Sequence, residues 1–357
     1  MKKIKLLALL FAAAILASCH QTQKENTAEG AAIPADTADR TNDFYDNAET
    51  FALKGDRKIE VAGEVANAGT VDFSKLTKRS VIVKETIYKA PADSFYGAYR
   101  YDGYSVYDIL NQIILKKKNE EDFPPIIDLF VEIENNKGEK VVLSWGEIYY
   151  PIHRHEILIA TDVMRIVPSK TKELWTLPEN TRLVVASDLI TARNISNPVK
   201  ISVVSYPLDD VPIEKGMKPL YSPEFRISDG KMDCEIIKNM PADLLQQNYP
   251  AIFYGRGRGI HSTQPFKGVM MKDILQKDFS MSLERLQKGL IVAVAKDGYR
   301  CVYSYSEVMN RNDHAELLLI AAGPEEKDDA VFRLFPPMDF FSDRAVKALT
   351  EIRCVNR

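Results

Sequence analysis

Cysteine is scarce in this chain, four among 357 residues, and no two are spaced as a metal-binding pair. Positive charge is not in excess either: 47 Lys and Arg stand against 50 Asp and Glu, a net charge of −3, with the lysines spread among acidic residues. Nothing is left over to neutralise a phosphate backbone, which excludes a nucleic-acid partner. The apolar run from Leu6 to Ala17 is too short to cross a bilayer as a mature helix.

That run has another meaning. It follows the cationic Met1-Lys2-Lys3-Ile4-Lys5 and ends on small residues before Cys19, the three regions of an export signal in order. Leu16-Ala17-Ser18-Cys19 resembles a bacterial lipobox, which implies cleavage before Cys19 and acylation of that cysteine. The chain is then lipid-anchored in the bacterial cell envelope, at the outer membrane or the periplasmic face, and His20 in place of aspartate is in keeping with onward sorting to the outer membrane. From His20 to about Asn47 the chain has almost no large apolar residue before Phe44, so a flexible tether is expected. Cys234, Cys301 and Cys354 remain, an odd number; a Cys234 to Cys354 disulfide and three buried thiols acting as small hydrophobes both stay open.

The second half of the chain repeats the first. Tyr101-Asp102-Gly103-Tyr104-Ser105-Val106-Tyr107-Asp108-Ile109-Leu110 returns as Phe266-Lys267-Gly268-Val269-Met270-Met271-Lys272-Asp273-Ile274-Leu275. Gly138, Ser144, Glu147 and Glu156 return as Gly298, Ser304, Glu307 and Glu316, each displaced by 160. Arg182-Leu183, Asp188, Arg193 and Ile201 return as Arg333-Leu334, Asp339, Arg344 and Ile352, displaced by 151. Shrinking displacements place the length differences in loops. Alternating strand patterns, a short helix spaced on Val106, Ile109, Leu110 and Ile113, and hairpins closed by Asn136-Lys137-Gly138 and Lys296-Asp297-Gly298 give each copy an α+β character, mostly strands with short helices. The layout is a signal peptide over 1–18, a tether over 19–50, a first domain over 51–205, a Pro-rich linker over 206–222 and a second domain over 223–357.

These landmarks resemble the oxidoreductase molybdopterin-binding domain, the fold of the sulfite oxidase family. The elements that carry the likeness are Gly63-Glu64-Val65, the two aromatic-x-Gly segments, Asp297-Gly298-Tyr299 with Ser304, and Arg182-Leu183-Val184 with Arg333-Leu334-Phe335. The resemblance implies two tandem sulfite-oxidase-like copies and makes molybdopterin the cofactor to consider. It also implies a cysteine thiolate on molybdenum, a soft ligand that oxygen or nitrogen side chains do not readily replace. Val83-Lys84-Glu85-Thr86-Ile87-Tyr88 and Ile252-Phe253-Tyr254-Gly255-Arg256-Gly257 occupy that place and hold no cysteine.

The sharpest remaining constellation is Gly255, Arg256, Gly257, Arg258, Gly259 and His261, whose glycines admit close approach and whose arginine forks suit a phosphate or carboxylate; a solvated loop is the competing reading. His153 and His155 would point to one side on a strand and could hold a metal, with no third ligand evident. Asp188 with Arg193 and Asp339 with Arg344 read as structural ion pairs, and Ser144-x-x-Glu147 and Ser304-x-x-Glu307 as capping boxes. The aromatics Tyr88, Phe95, Tyr96, Tyr99, Tyr101, Tyr104 and Tyr107 suit a planar ligand or a partner surface as well as a core. Together these point to a lipid-anchored accessory or binding protein without redox catalysis, taking a small anionic or planar ligand or an envelope protein. The alternative is a molybdopterin-dependent oxidoreductase with an altered cofactor site.

Overall fold

Strands account for 43% of the structure and helices for 11%. The computed structural model describes residues 44–89, 93–321 and 332–357, which fall in one compact unit. The first half carries β1 (Thr50–Ala52), β2 (Lys58–Gly63), β3 (Gly69–Asp72), β4 (Lys78–Ile87), β5 (Ser94–Ser105), α1 (Val106–Leu110), β6 (Leu129–Asn135), β7 (Lys140–Ser144), α2 (Trp145–Tyr149), β8 (Ile157–Arg165), β9 (Arg182–Val185) and β10 (Pro198–Ser205). The second carries β11 (Phe225–Ser228), β12 (Asp233–Ile237), β13 (Gln247–Tyr249), β14 (Phe253–Gly255), β15 (Gly259–Ser262), β16 (Phe266–Met270), α3 (Met271–Leu275), α4 (Leu283–Lys288), β17 (Gly289–Ala295), β18 (Arg300–Ser304), α5 (Tyr305–Met309), β19 (Leu318–Ala321), β20 (Phe332–Phe335) and β21 (Leu349–Asn356).

The repeat is written in the strand order. One sheet runs β3-β2-β10-β6-β7 and another runs β12-β11-β21-β17-β18, the same path with corresponding strands. In each, the opening strand pairs in parallel with the closing strand of its half, β2 with β10 and β11 with β21. The other two large sheets are β1-β8-β5-β4, with β9 on β8, and β13-β16-β19-β20. The repeated glycine has a steric cause in both halves: a Cβ on Gly103 would collide with the Ile159 carbonyl of β8, and one on Gly268 with the Leu319 carbonyl of β19.

The four sheets stand in a propeller-like ring, which corrects the expected α+β fold of two tandem sulfite-oxidase-like copies. Helices of five or six residues cannot build a helical layer over a sheet, so strand-on-strand packing takes over. The motifs behind the resemblance are local devices: a strand feeding a capped turn, a glycine hairpin, an arginine strand. Each specifies its own unit and leaves the assembly of units open.

Two strands show how the sheets join. On β6, Leu129, Val131 and Ile133 face a core shared with Ile157, Ile159, Leu183 and Val185, while Phe130 faces a second core. On β17, Leu290, Val292 and Val294 meet Phe130 in that second core, while Ile291, Ala293 and Ala295 turn to a third with Val269, Leu319 and Leu334. A strand buried on both faces must be apolar throughout, which β17 is, while β6 carries Glu132 and Glu134 beyond Phe130 on its second face, both half-buried. Tyr206 and Leu208, from the expected linker, are buried in the second core, so this stretch is packed between the sheets.

Candidate functional site

The two halves are locked by a buried polar network. Ser144 caps α2 and Ser304 caps α5, each in a full capping box with Glu147 and Glu307, as the sequence pattern expects. Arg193 forks onto Asp188, with Nε to Oδ2 at 2.8 Å and Nη2 to Oδ1 at 2.6 Å, and also donates to both oxygens of Glu147. Arg344 forks onto Asp339 in the same way, at 2.7 and 2.6 Å, and donates to Glu307. Two bonds cross between halves: Ser144 Oγ donates to Glu307 Oε2 at 2.7 Å, and Arg193 Nη1 donates to Ser304 Oγ at 3.1 Å. Burial pushes the Asp188, Asp339 and Glu307 carboxyls up, against the pull of the arginines. Closed on itself, the network is structural, in agreement with the ion-pair reading of its Asp and Arg members.

An open cleft of about 830 Å³ lies elsewhere, in the size range of small-ligand sites. One wall is the stretch from Tyr206 to Ile213, and Arg300, the first residue of β18, is among the lining residues. Arg300 is 5% exposed, yet its guanidinium makes no hydrogen bond among the described residues. The carboxylate it faces, Asp128 Oδ2, stands 3.8 Å away and is already bonded by Asn119 Nδ2 at 2.9 Å. Asp128 is also held by Lys117, whose ammonium sits 2.8 Å from Oδ1 and donates to the Phe123 and Pro125 carbonyls. Burial pushes the Asp128 carboxyl up and the Lys117 ammonium down, each partner opposing the other's shift. Arg300 and Lys117 both stand over the Phe123 ring, at 4.8 and 4.7 Å from its centroid. Lys118, Lys215 and Arg357 also line the cleft, with Glu121, Asp122 and Asp209.

A buried guanidinium nitrogen with no acceptor, as Arg300 Nε is among the described residues, is unfavourable unless something accepts from it. The cleft therefore offers a fork suited to a carboxylate or phosphate, beside an apolar wall. The copy-one counterpart by the displacement of 160 is Lys140, which is exposed and pairs with Glu132 and Glu134, so Arg300 is a point where the copies differ.

The other sequence candidates fall elsewhere. Gly255, Arg256, Gly257, Arg258, Gly259 and His261 form the hairpin of β14 and β15, whose exposed tip carries the arginines; Arg256 pairs with Asp343 at 3.2 Å. The 830 Å³ cleft and a second of about 420 Å³ are lined by other residues, so the Arg-Gly loop is a surface tip and lines neither. His153 is exposed, His155 faces Ser105, and among the described residues no three His, Cys, Asp or Glu side chains gather as a metal site. Ser105 Oγ and Asp108 Oδ2 both approach the same nitrogen, His155 Nδ1, at 3.0 and 3.7 Å. A nucleophile relay needs them on opposite ring nitrogens, and Ser105 is spent as the buried cap of α1.

All three later cysteines are free: Cys234 exposed, Cys301 and Cys354 buried, with burial pushing both buried thiols up. Cys354 lines the 420 Å³ cleft, but burial holds its thiol protonated, and Cys301 lines neither this cleft nor the 830 Å³ one; among the described residues no thiol stands in the stretches 83–88 and 252–257 where the resemblance implies a molybdenum ligand. Of the aromatics, Tyr99 and Tyr101 are core, while Phe95 and Tyr96 are exposed. Cys19 and most of the tether lie outside the described residues, and no helix among those described is long and apolar enough to cross a membrane. Compared with protein-family models, curated proteins and solved structures, the chain matches none.

Sequence reasoning missed Arg300. Its signal was present: one charge at the head of the strand Arg300–Ser304, directly after a glycine turn, where the pattern otherwise reads as a fully buried strand.

Proposed function

We propose that the chain is an exported lipoprotein, anchored through Cys19 in the bacterial envelope, that binds a small anion-bearing molecule in the cleft containing Arg300. The observation that carries this reading is the buried Arg300 lining an 830 Å³ cleft, its Nε without a hydrogen-bond acceptor among the described residues. The ligand's carboxylate or phosphate meets Arg300, and its apolar part lies against Val211, Pro212 and Ile213. Anchoring keeps this receptor at the membrane and leaves the cleft open to solutes of the envelope.

Titration calorimetry of the full chain with inorganic phosphate and with succinate tests it. The expected result is saturable binding of at least one anion, weakened about tenfold or more by Arg300→Gln, the loss expected for a hydrogen bond to a charged group. Failure of both anions to bind, or binding that Arg300→Gln leaves unchanged, overturns it.

A further inference from the structure

We infer that the outer face of the β14–β15 hairpin is a docking surface for an anionic lipid bilayer, an inference that rests on the Cys19 anchoring proposed above. Tyr254 and Ile260 are direct partners across the hairpin, so their side chains share one face. They are 39% and 57% exposed, and Ile252 just ahead of β14 is 71% exposed. Phe340, 55% exposed, extends the same patch by a ring contact with Tyr254 at 5.7 Å. The hairpin's inner side is committed to the core, where Phe253 packs on Phe266 and Phe335. Large apolar side chains left outward on a short hairpin are a contact surface and not a packing remnant.

Charge selects the occupant. Arg256 and Arg258 stand at the tip; Asp343 partly offsets Arg256, while Arg258 makes no ion pair among the described residues. Aromatic and aliphatic side chains beside arginine are the composition that settles at an interface of anionic headgroups. The 25 residues from Cys19 to Asp43 span at most about 80–90 Å when extended, which keeps the body within reach of the bilayer that holds the anchor. Contact through this face would be repeated and weak, fixing orientation while the acyl group supplies retention.

The test uses the full chain carrying Cys19→Ser, so that no acyl group masks the face, in flotation with vesicles. One set is equal parts phosphatidylethanolamine and phosphatidylglycerol, the other phosphatidylcholine alone. The expected result is flotation with the anionic set, reduced about fivefold by Arg258→Gln and abolished by Tyr254→Ser with Phe340→Ser, with thermal unfolding of the variants unchanged. Equal partition to both vesicle sets, flotation that these substitutions leave intact, or no flotation with a protein captured at this face instead, overturns it. Acylation is read separately from the mass of the wild-type N-terminal peptide, and the cleft from anion titration, so failure of the docking face is distinguishable from failure of the anchored receptor.

Discussion

Ser144 Oγ donates to Glu307 Oε2 across 2.7 Å, so the hydroxyl that caps a helix in the first half bonds the carboxylate of the equivalent cap in the second. The same hydroxyl accepts from Glu147 N at 2.9 Å, which uses it as donor and acceptor in a fully buried place. Ser144→Ala removes a helix cap and leaves Glu307 short of a donor. The expected loss is about 2–3 kcal/mol of unfolding free energy in urea, with Ser144→Thr recovering most of it.

Arg344 stands between Asp339 and Glu307 and is 2% exposed. Arg344→Met strands two buried carboxylates, and a loss of about 3–5 kcal/mol is expected. Asp339→Leu added to Arg344→Met removes one stranded charge and should recover part of that loss. A double variant no more stable than Arg344→Met contradicts the assignment.

The acids of the protein respond to pH with opposite signs. Asp210, in the wall segment of the cleft, is held below its usual range chiefly by its hydrogen bond to Arg353, so its contribution is present at neutral pH and lost as pH falls through its folded value. Glu307 is raised chiefly by burial, so its contribution is present in acid and lost as pH rises through its folded value. Asp210→Asn should therefore separate from wild type at pH 7, by no more than about 1 kcal/mol because Asp210 is itself exposed, and converge with it below about pH 4. Thermal unfolding across that range checks the sign.

Much of the local structure was legible. The turns at Gly138 and Gly298 adopt φ of +80° and +78°, the left-handed region that a tight hairpin demands, and the strands they join fall where the alternation placed them. The helix after Gly103 is real but stops at Leu110 and does not reach Ile113, because the chain turns at Asn111. The assembly was not legible: β17 is apolar on both faces and β6 turns Phe130 away from its main core, and an apolar face does not say which sheet will cover it. Glycine and arginine serve a ligand loop and an exposed hairpin tip equally well, so the sequence left both readings of the Arg-Gly run open, and the structure places it at a tip. Arg300 escaped notice because its place beside the Tyr206–Ile213 stretch depends on contacts more than 80 residues away.

That wall makes its own prediction. Glu214 N donates to the Asp297 carbonyl at 2.9 Å, and a Cβ on Gly298 would collide with the Pro212 carbonyl. Gly298→Ala should cost about 1–3 kcal/mol in stability through its positive φ and this clash. It should also displace the wall and weaken phosphate binding with Arg300 itself intact. Unchanged phosphate affinity in a folded Gly298→Ala chain would separate the wall from the binding site.

The central claim is that Arg300 receives the anion, and the most direct measurement is the nuclear magnetic resonance signal of its side-chain Nε–H during titration with inorganic phosphate, assigned by its loss in Arg300→Gln. A saturable displacement of that one signal, at the phosphate concentration where calorimetry shows binding, is the predicted result. A signal that stays in place while phosphate binds, or that drifts linearly without saturating, contradicts it.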